Sequence, residues 1–209
     1  MTGLPTPRVL LIGCLGLVAC LAVTGCGNGI FGRDTHNKMI VSVSDQRMLL
    51  VRDGTPVKSY NISTSKFGVG DRPGSNCTPI GRLQVTQKIG DNRALGSVFK
   101  NRRPTGEIVK PNAPGRDPVV TRILWLKGTE PRNQNAYRRS IYIHGTPEER
   151  RLGRPASYGC IRMGSRDVAD LYKRVGYGAD VFVIRGSIQT KSSHQASASL
   201  AATGSRPQG

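Results

Sequence analysis

Short apolar blocks punctuate the middle of the chain, and most of them alternate with polar residues at period two. Lys38 to Ser44 and Met48 to Arg52 are two such blocks around the polar break Asp45-Gln46-Arg47, a pattern that predicts a hairpin. Asp53-Gly54 marks a second turn and leads into Val57 to Ser63. Gly81 to Lys88 alternates strictly and predicts a half-buried strand. Strand patterns resume at Val119 to Leu126 and at Ser140 to His144, and Val181 to Ile184 forms a last apolar run. Only one segment switches to helical period. Val168, Leu171, Tyr172 and Val175 make an i, i+3, i+4, i+7 stripe, with Ser165 expected as N-cap, Asp167 in the first turn and the end near Gly176. Between residues 90 and 118 Gly, Pro and Asn are frequent and no period persists, so a long irregular connection is expected, of the kind that is usually functional. The pattern describes a mainly β fold of mixed strands with one well-defined helix.

The two ends read differently. Arg8 is the only charge before Arg33, and it precedes the apolar run Val9 to Val23. That run is too short for a spanning helix, which needs about 20 residues, and it has the form of a secretion signal. Its close, Val23-Thr24-Gly25-Cys26, resembles the bacterial lipobox. The resemblance implies a signal peptide over 1–25 and lipid on Cys26, and hence an exported protein held on a membrane facing the wall. Gly27, rather than Asp, after the cysteine points to the outer membrane where the envelope has two. Residues 26–37 form a tether, 38–186 the domain, and 187–209 a Ser/Ala/Gln/Gly-rich tail expected to be disordered.

Composition narrows the partners. The formal charge is +18, which favours polyanions. For an exported chain these are wall polymers and lipid head groups rather than nucleic acid. Aromatic residues make up only 5%, too few for a platform that stacks single-stranded bases. Loss of the signal and lipidation of Cys26 would leave Cys77 and Cys160 in the domain. In an oxidising compartment they have the option of one disulfide, but Cys77 sits in a segment that looks like a loop and is read as incidental. The three histidines and two cysteines show no paired metal-ligand spacing.

The chemistry concentrates in two places. Ile141-Tyr142-Ile143-His144-Gly145-Thr146 ends an apolar strand on a histidine. Cys160 follows sixteen residues later in Ser157-Tyr158-Gly159-Cys160-Ile161-Arg162. A thiol attacks as thiolate, and a nearby imidazole is the usual means of forming one. A glycine before it frees the backbone for close approach and lets amides point at a developing oxyanion. An arginine two places on can grip a carboxylate with two N–H bonds.

These residues, with Leu152-Gly153, Met163, Asp167-Val168-x-x-Leu171-Tyr172, Ser63-Thr64-Ser65, Thr78-Pro79-Ile80-Gly81 and Val181-Phe182-Val183-Ile184, resemble the L,D-transpeptidase (YkuD-type) catalytic domain. The resemblance covers about residues 38–186. It implies a sandwich-like β fold, no cofactor, and cysteine acyl transfer from peptidoglycan tetrapeptide stems, forming cross-links or attaching a protein to the wall. Alternatives are a hydrolytic L,D-carboxypeptidase or endopeptidase of the same fold, or a lipoprotein that binds peptidoglycan without turnover. Carried over, Cys160 is the nucleophile and His144 its proton acceptor and donor. A backbone carbonyl around Ser157 or Tyr158 orients the imidazole, the Gly159 and Cys160 amides form the oxyanion hole, Arg162 supports the site or binds the substrate, and Gly145 serves substrate binding. Tyr158 departs from the family's usual histidine. A backbone role survives that change; a side-chain role does not.

Overall fold

In the computed structural model, which describes residues 32–188, ten strands, one α-helix and two short 3-10 helices follow one another, several joined by long connections such as 64–80 and 146–160. Strands β1 (Asn37–Ser42) and β2 (Arg47–Arg52) form the expected antiparallel hairpin, with Met39, Val41, Met48 and Leu50 facing the core. Asp53 and Gly54 both take positive φ, and this two-residue turn passes the chain to β3 (Thr55–Ser63). Strands β4 (Gly81–Ile89), β7 (Val119–Gly128), β8 (Tyr142–Gly145), β9 (Ile161–Met163) and β10 (Asp180–Ile184) complete the frame. Their order is β4-β10-β1-β2-β3-β9-β8-β7, and β7 pairs back onto β4, so eight strands close into a ring without a free edge. The sheet is mixed: β1–β10 and β8–β9 run parallel and the other pairings are antiparallel.

The single helix α1 (Ser165–Arg174) lays Val168, Leu171 and Tyr172 into the main apolar core, where they meet Ile143, Ile161, Leu124 and Val181. Truncating a fully buried residue such as Leu171 to Ala would cost about 2–5 kcal/mol. Ser165 is not the N-cap. Gly164 takes that place, the Glu149 carboxylate accepts the Ser165 N–H at 2.8 Å, and the Ser165 hydroxyl bonds Thr121 at 2.8 Å. A carboxylate at a helix N-terminus also opposes the helix dipole favourably.

One expectation about the strands needs correction. The long connection at 90–118 contains a hairpin, β5 (Ser97–Lys100) and β6 (Arg103–Ile108), docked on β7 through Val98–Val120 and Phe99–Val119. β6 is exposed along its whole length, so it has no apolar alternation to betray it. Contacts also reach into the expected tether. Asp34 accepts N–H groups of Asn37 (3.0 Å) and Gly176 (2.6 Å), binding the end of the tether to the turn after α1. At the other end the Ile188 N–H donates to Asp45 at 2.9 Å. The signal, Cys26 and most of the tail lie outside the described residues.

Candidate active site

The parallel pair β8–β9 brings the two chemical residues together. Ile143 lies opposite Ile161 and His144 opposite Arg162. Because side chains alternate across a strand, Ile143 and Ile161 enter the core while His144 and Arg162 project to the other face. Cys160, one residue before β9, shares that face and packs against Phe99, Ile123, Trp125 and Tyr142. Gly159 must be glycine here: its φ is +119°, and a Cβ would lie 3.3 Å from both the Cys77 carbonyl oxygen and Ile141 Cδ1. Ser157 builds the turn by donating its hydroxyl to the Cys160 carbonyl (2.6 Å) and accepting the Gly159 N–H (3.2 Å).

His144 is buried, and its Nδ1 lies 2.8 Å from the Gly145 carbonyl. A carbonyl only accepts, so Nδ1 carries the proton and Nε2 is left as the basic nitrogen. The orienting carbonyl is therefore that of Gly145, not one near Ser157 or Tyr158; the Ser157 carbonyl accepts the Lys66 N–H instead. Packing requires glycine at 145, since a Cβ there would come within 2.6 Å of the Val120 carbonyl. Burial lowers the His144 pKa, and the Asp117 carboxylate partly opposes that shift.

The Cys160 thiol donates to the Ser140 carbonyl and accepts the Tyr142 N–H, both at 3.4 Å. Burial pushes its pKa up to about 11, while the Tyr142 N–H and the charges of Arg139 and Arg162 pull the other way. Among the described residues no hydrogen bond joins the thiol to His144. Burial thus favours the neutral form of both the thiol and the imidazole. The Gly159 amide, expected in the oxyanion hole, is taken up by Ser157.

The Arg162 side chain is 4% exposed and paired with Asp117 and with Glu148 (3.0 Å), an arrangement that fits support of the site, one of the two roles expected for it. Asp117 also accepts the Thr146 hydroxyl, which in turn accepts the Glu148 N–H at 3.0 Å. Beside the thiol, Arg139 is held by Asp71 (2.9 Å) and donates to the Cys77 carbonyl (2.7 Å). Asp117, Glu148, Asp71 and Arg139 carry no local sequence signal, because each gains its meaning from a partner at least 14 residues away. Cys77 and Cys160 are both free. Tyr158 is 64% exposed. Its hydroxyl accepts from Lys66 Nζ (2.9 Å) and its ring lies 5.5 Å from that of Phe67.

A cavity of about 210 Å³ is lined by Phe99, Asn101, Arg102, Val119, Ile123, Ser140 and Tyr142, and so shares with the thiol its two hydrogen-bond partners, Ser140 and Tyr142. A larger one of about 440 Å³ lies between Leu95, Ile108, Glu149 and Arg166, and none of its lining residues bonds the thiol, whereas Ser140 and Tyr142 of the smaller cavity both do.

The sequence profile of the L,D-transpeptidase catalytic domain (YkuD) matches residues 36–184. Among solved structures, an L,D-transpeptidase from Mycobacterium smegmatis is 17% identical, with 71% of this chain and 58% of that one covered and a TM-score of 0.46. One from Mycobacterium tuberculosis is 19% identical, with coverages of 72% and 58% and a TM-score of 0.47. The L,D-transpeptidase of Xylanimonas cellulosilytica is 18% identical, with coverages of 71% and 60% and a TM-score of 0.47. The chain spans about three fifths of the length of these proteins. A comparison with curated protein sequences finds no match.

Proposed function

Because this chain belongs to the YkuD family of L,D-transpeptidase catalytic domains, we propose that it is a cysteine acyltransferase acting on peptidoglycan tetrapeptide stems. The observation that carries the reading is the shared face of β8 and β9, which presents Cys160 and an imidazole whose tautomer leaves Nε2 basic. The thiol turns from the Ser140 carbonyl toward Nε2, a change of side-chain rotamer, and gives up its proton as it attacks. Apo sites commonly tighten in this way when substrate binds. The sulfur bonds to the carbonyl carbon of the third, diamino-acid residue. The bond to the terminal D-alanine breaks, and the proton held on Nε2 passes to the departing amine. An amine from a second stem, or from a protein to be anchored, then attacks the thioester and returns the proton to sulfur through His144. Water in that role makes the enzyme a carboxypeptidase.

Mass spectrometry of stem peptides incubated with the purified protein tests this. Cross-linked dimers or loss of D-alanine support it. Unchanged peptides together with co-sedimentation on wall sacculi favour a binding protein without turnover. We further propose that the protein is exported and held to a membrane by lipid on Cys26. Cys26→Ala is expected to leave the membrane fraction or to block processing, and attachment that persists without lipid mass on the N-terminal peptide contradicts it.

A further inference from the structure

Two guanidinium groups act on the thiol, both already neutralised, and a third lines the cavity that Ser140 and Tyr142 share with it. Arg139 is paired with Asp71 and Arg162 with Asp117 and Glu148. The third, Arg102, belongs to the tip of the β5–β6 hairpin, where Asn101 and Arg102 both take positive φ, at 50° and 66°. Two consecutive non-glycine residues in that region make a tight and strained turn, and it carries the Arg102 side chain onto the cavity wall. There the guanidinium lies 4.5 Å from the centre of the Trp125 ring and donates from Nη1 to the Tyr142 hydroxyl at 3.1 Å. Both contacts are to neutral groups. None of the ion pairs among the described residues includes Arg102.

The cavity is tied to the nucleophile by two of its walls. Ser140 supplies the carbonyl that accepts the thiol, and Tyr142 supplies the N–H that donates to it. A group placed in it therefore lies one short step from a carbonyl bonded to sulfur. The floor is apolar, formed by Phe99, Val119 and Ile123, and the wall carries one cation with donors to spare. A guanidinium against an aromatic face, with its fork unfilled, suits a carboxylate, which it can hold with two parallel N–H bonds.

We propose that Arg102 binds the terminal carboxylate of the D-amino acid that leaves when Cys160 is acylated, so that the hairpin tip selects donors with a single residue beyond the scissile carbonyl. This rests on the acyl-transfer reading above. It also reassigns the anion-binding role that the sequence suggested for Arg162.

The test compares two tetrapeptide donors, one ending in a free D-alanine carboxylate and one in the carboxamide. The wild-type chain is expected to prefer the acid by roughly 10- to 100-fold in kcat/KM, the scale of a lost hydrogen bond to a charged group. Arg102→Gln is expected to bring that ratio close to one, Arg102→Lys to retain part of it, and Arg103→Gln, next along the exposed strand, to leave it intact. Equal ratios in wild type and Arg102→Gln overturn the proposal. Calorimetric binding of both peptides to Cys160→Ala, with and without Arg102→Gln, gives a second reading that needs no turnover. Discrimination lost there with Arg102→Gln supports the carboxylate site even if the wild-type chain transfers no acyl group, an outcome that would sink the enzymatic reading alone. Discrimination absent from Cys160→Ala itself overturns the site. Thermal melts confirm that each variant is folded.

Discussion

Replacing Asp117 by Asn probes the brace beneath His144. Arg162 is 4% exposed and its charge is balanced by two carboxylates, themselves 25% and 27% exposed. Breaking a buried pair from one side costs about 3–5 kcal/mol, because the surviving charge stays desolvated. Glu148 remains as a partner here, so the loss should fall near the bottom of that range or just below it, about 2–3 kcal/mol. For a domain of this size that lowers Tm by roughly 5–10 °C. Two Arg162 nitrogens, Nε and Nη2, are already buried without partners, which leaves little slack for compensation. The same substitution reaches the base. Asp117 raises the His144 pKa and Arg162 lowers it, so removing the carboxylate moves the acid limb of the rate profile to lower pH. Linkage gives a further signature. Burial holds the folded-state pKa of His144 below its ordinary 6.5, so the unfolded chain takes up the proton first. The corresponding stability is present above pH 6.5 and is lost as pH falls through the folded-state value. Denaturation followed by circular dichroism, with a pH profile of D-alanine release, reads both effects. An Asp117→Asn protein within about 0.5 kcal/mol of wild type, with its acid limb unmoved, would refute the reasoning.

Other outcomes follow from the same geometry. With a thiol pKa near 11, roughly one Cys160 in ten thousand is ionised at pH 7. Its alkylation by iodoacetamide, resolved from that of Cys77 by peptide mapping, should therefore climb about tenfold per pH unit between pH 6 and 9; a plateau in that range would mean a resting thiolate–imidazolium pair. Gly159→Ala should cost about 1–3 kcal/mol, since alanine resists φ of +119° and its Cβ meets the Cys77 carbonyl, and urea midpoints check it. Tyr158→Phe removes a solvent-exposed bond to Lys66 and should change stability by less than about 0.5 kcal/mol. It should also leave acyl transfer within severalfold, and a loss above about 100-fold would place the phenol in the chemistry.

Most strands were legible because their cores are local patterns: Met39 and Val41, Met48 and Leu50, Leu83 and Val85 alternate within a single element. The α1 stripe was legible for the same reason. What escaped notice depends on pairing across the chain. β9 is three residues long and hidden inside the cysteine motif, β6 buries nothing, and ring closure needs β4 to meet β7 some 40 residues on. The site divides along the same line. His144 and Cys160 stand out as residue types in context, whereas the orienting role of the Gly145 carbonyl and the burial of Arg162 appear only once β8 and β9 lie side by side. Gly159 and Ser157 shape the turn before Cys160, and the Gly159 N–H serves Ser157.

The central claim is that Cys160 becomes acylated, and intact-protein mass spectrometry during turnover of a tetrapeptide donor tests it most directly. The account predicts a mass increase equal to the donor minus D-alanine, located on Cys160, in the wild-type chain and absent from Cys160→Ala, which should melt like wild type. An adduct that persists in Cys160→Ala, or cross-linked product from that variant at an appreciable rate, would contradict it.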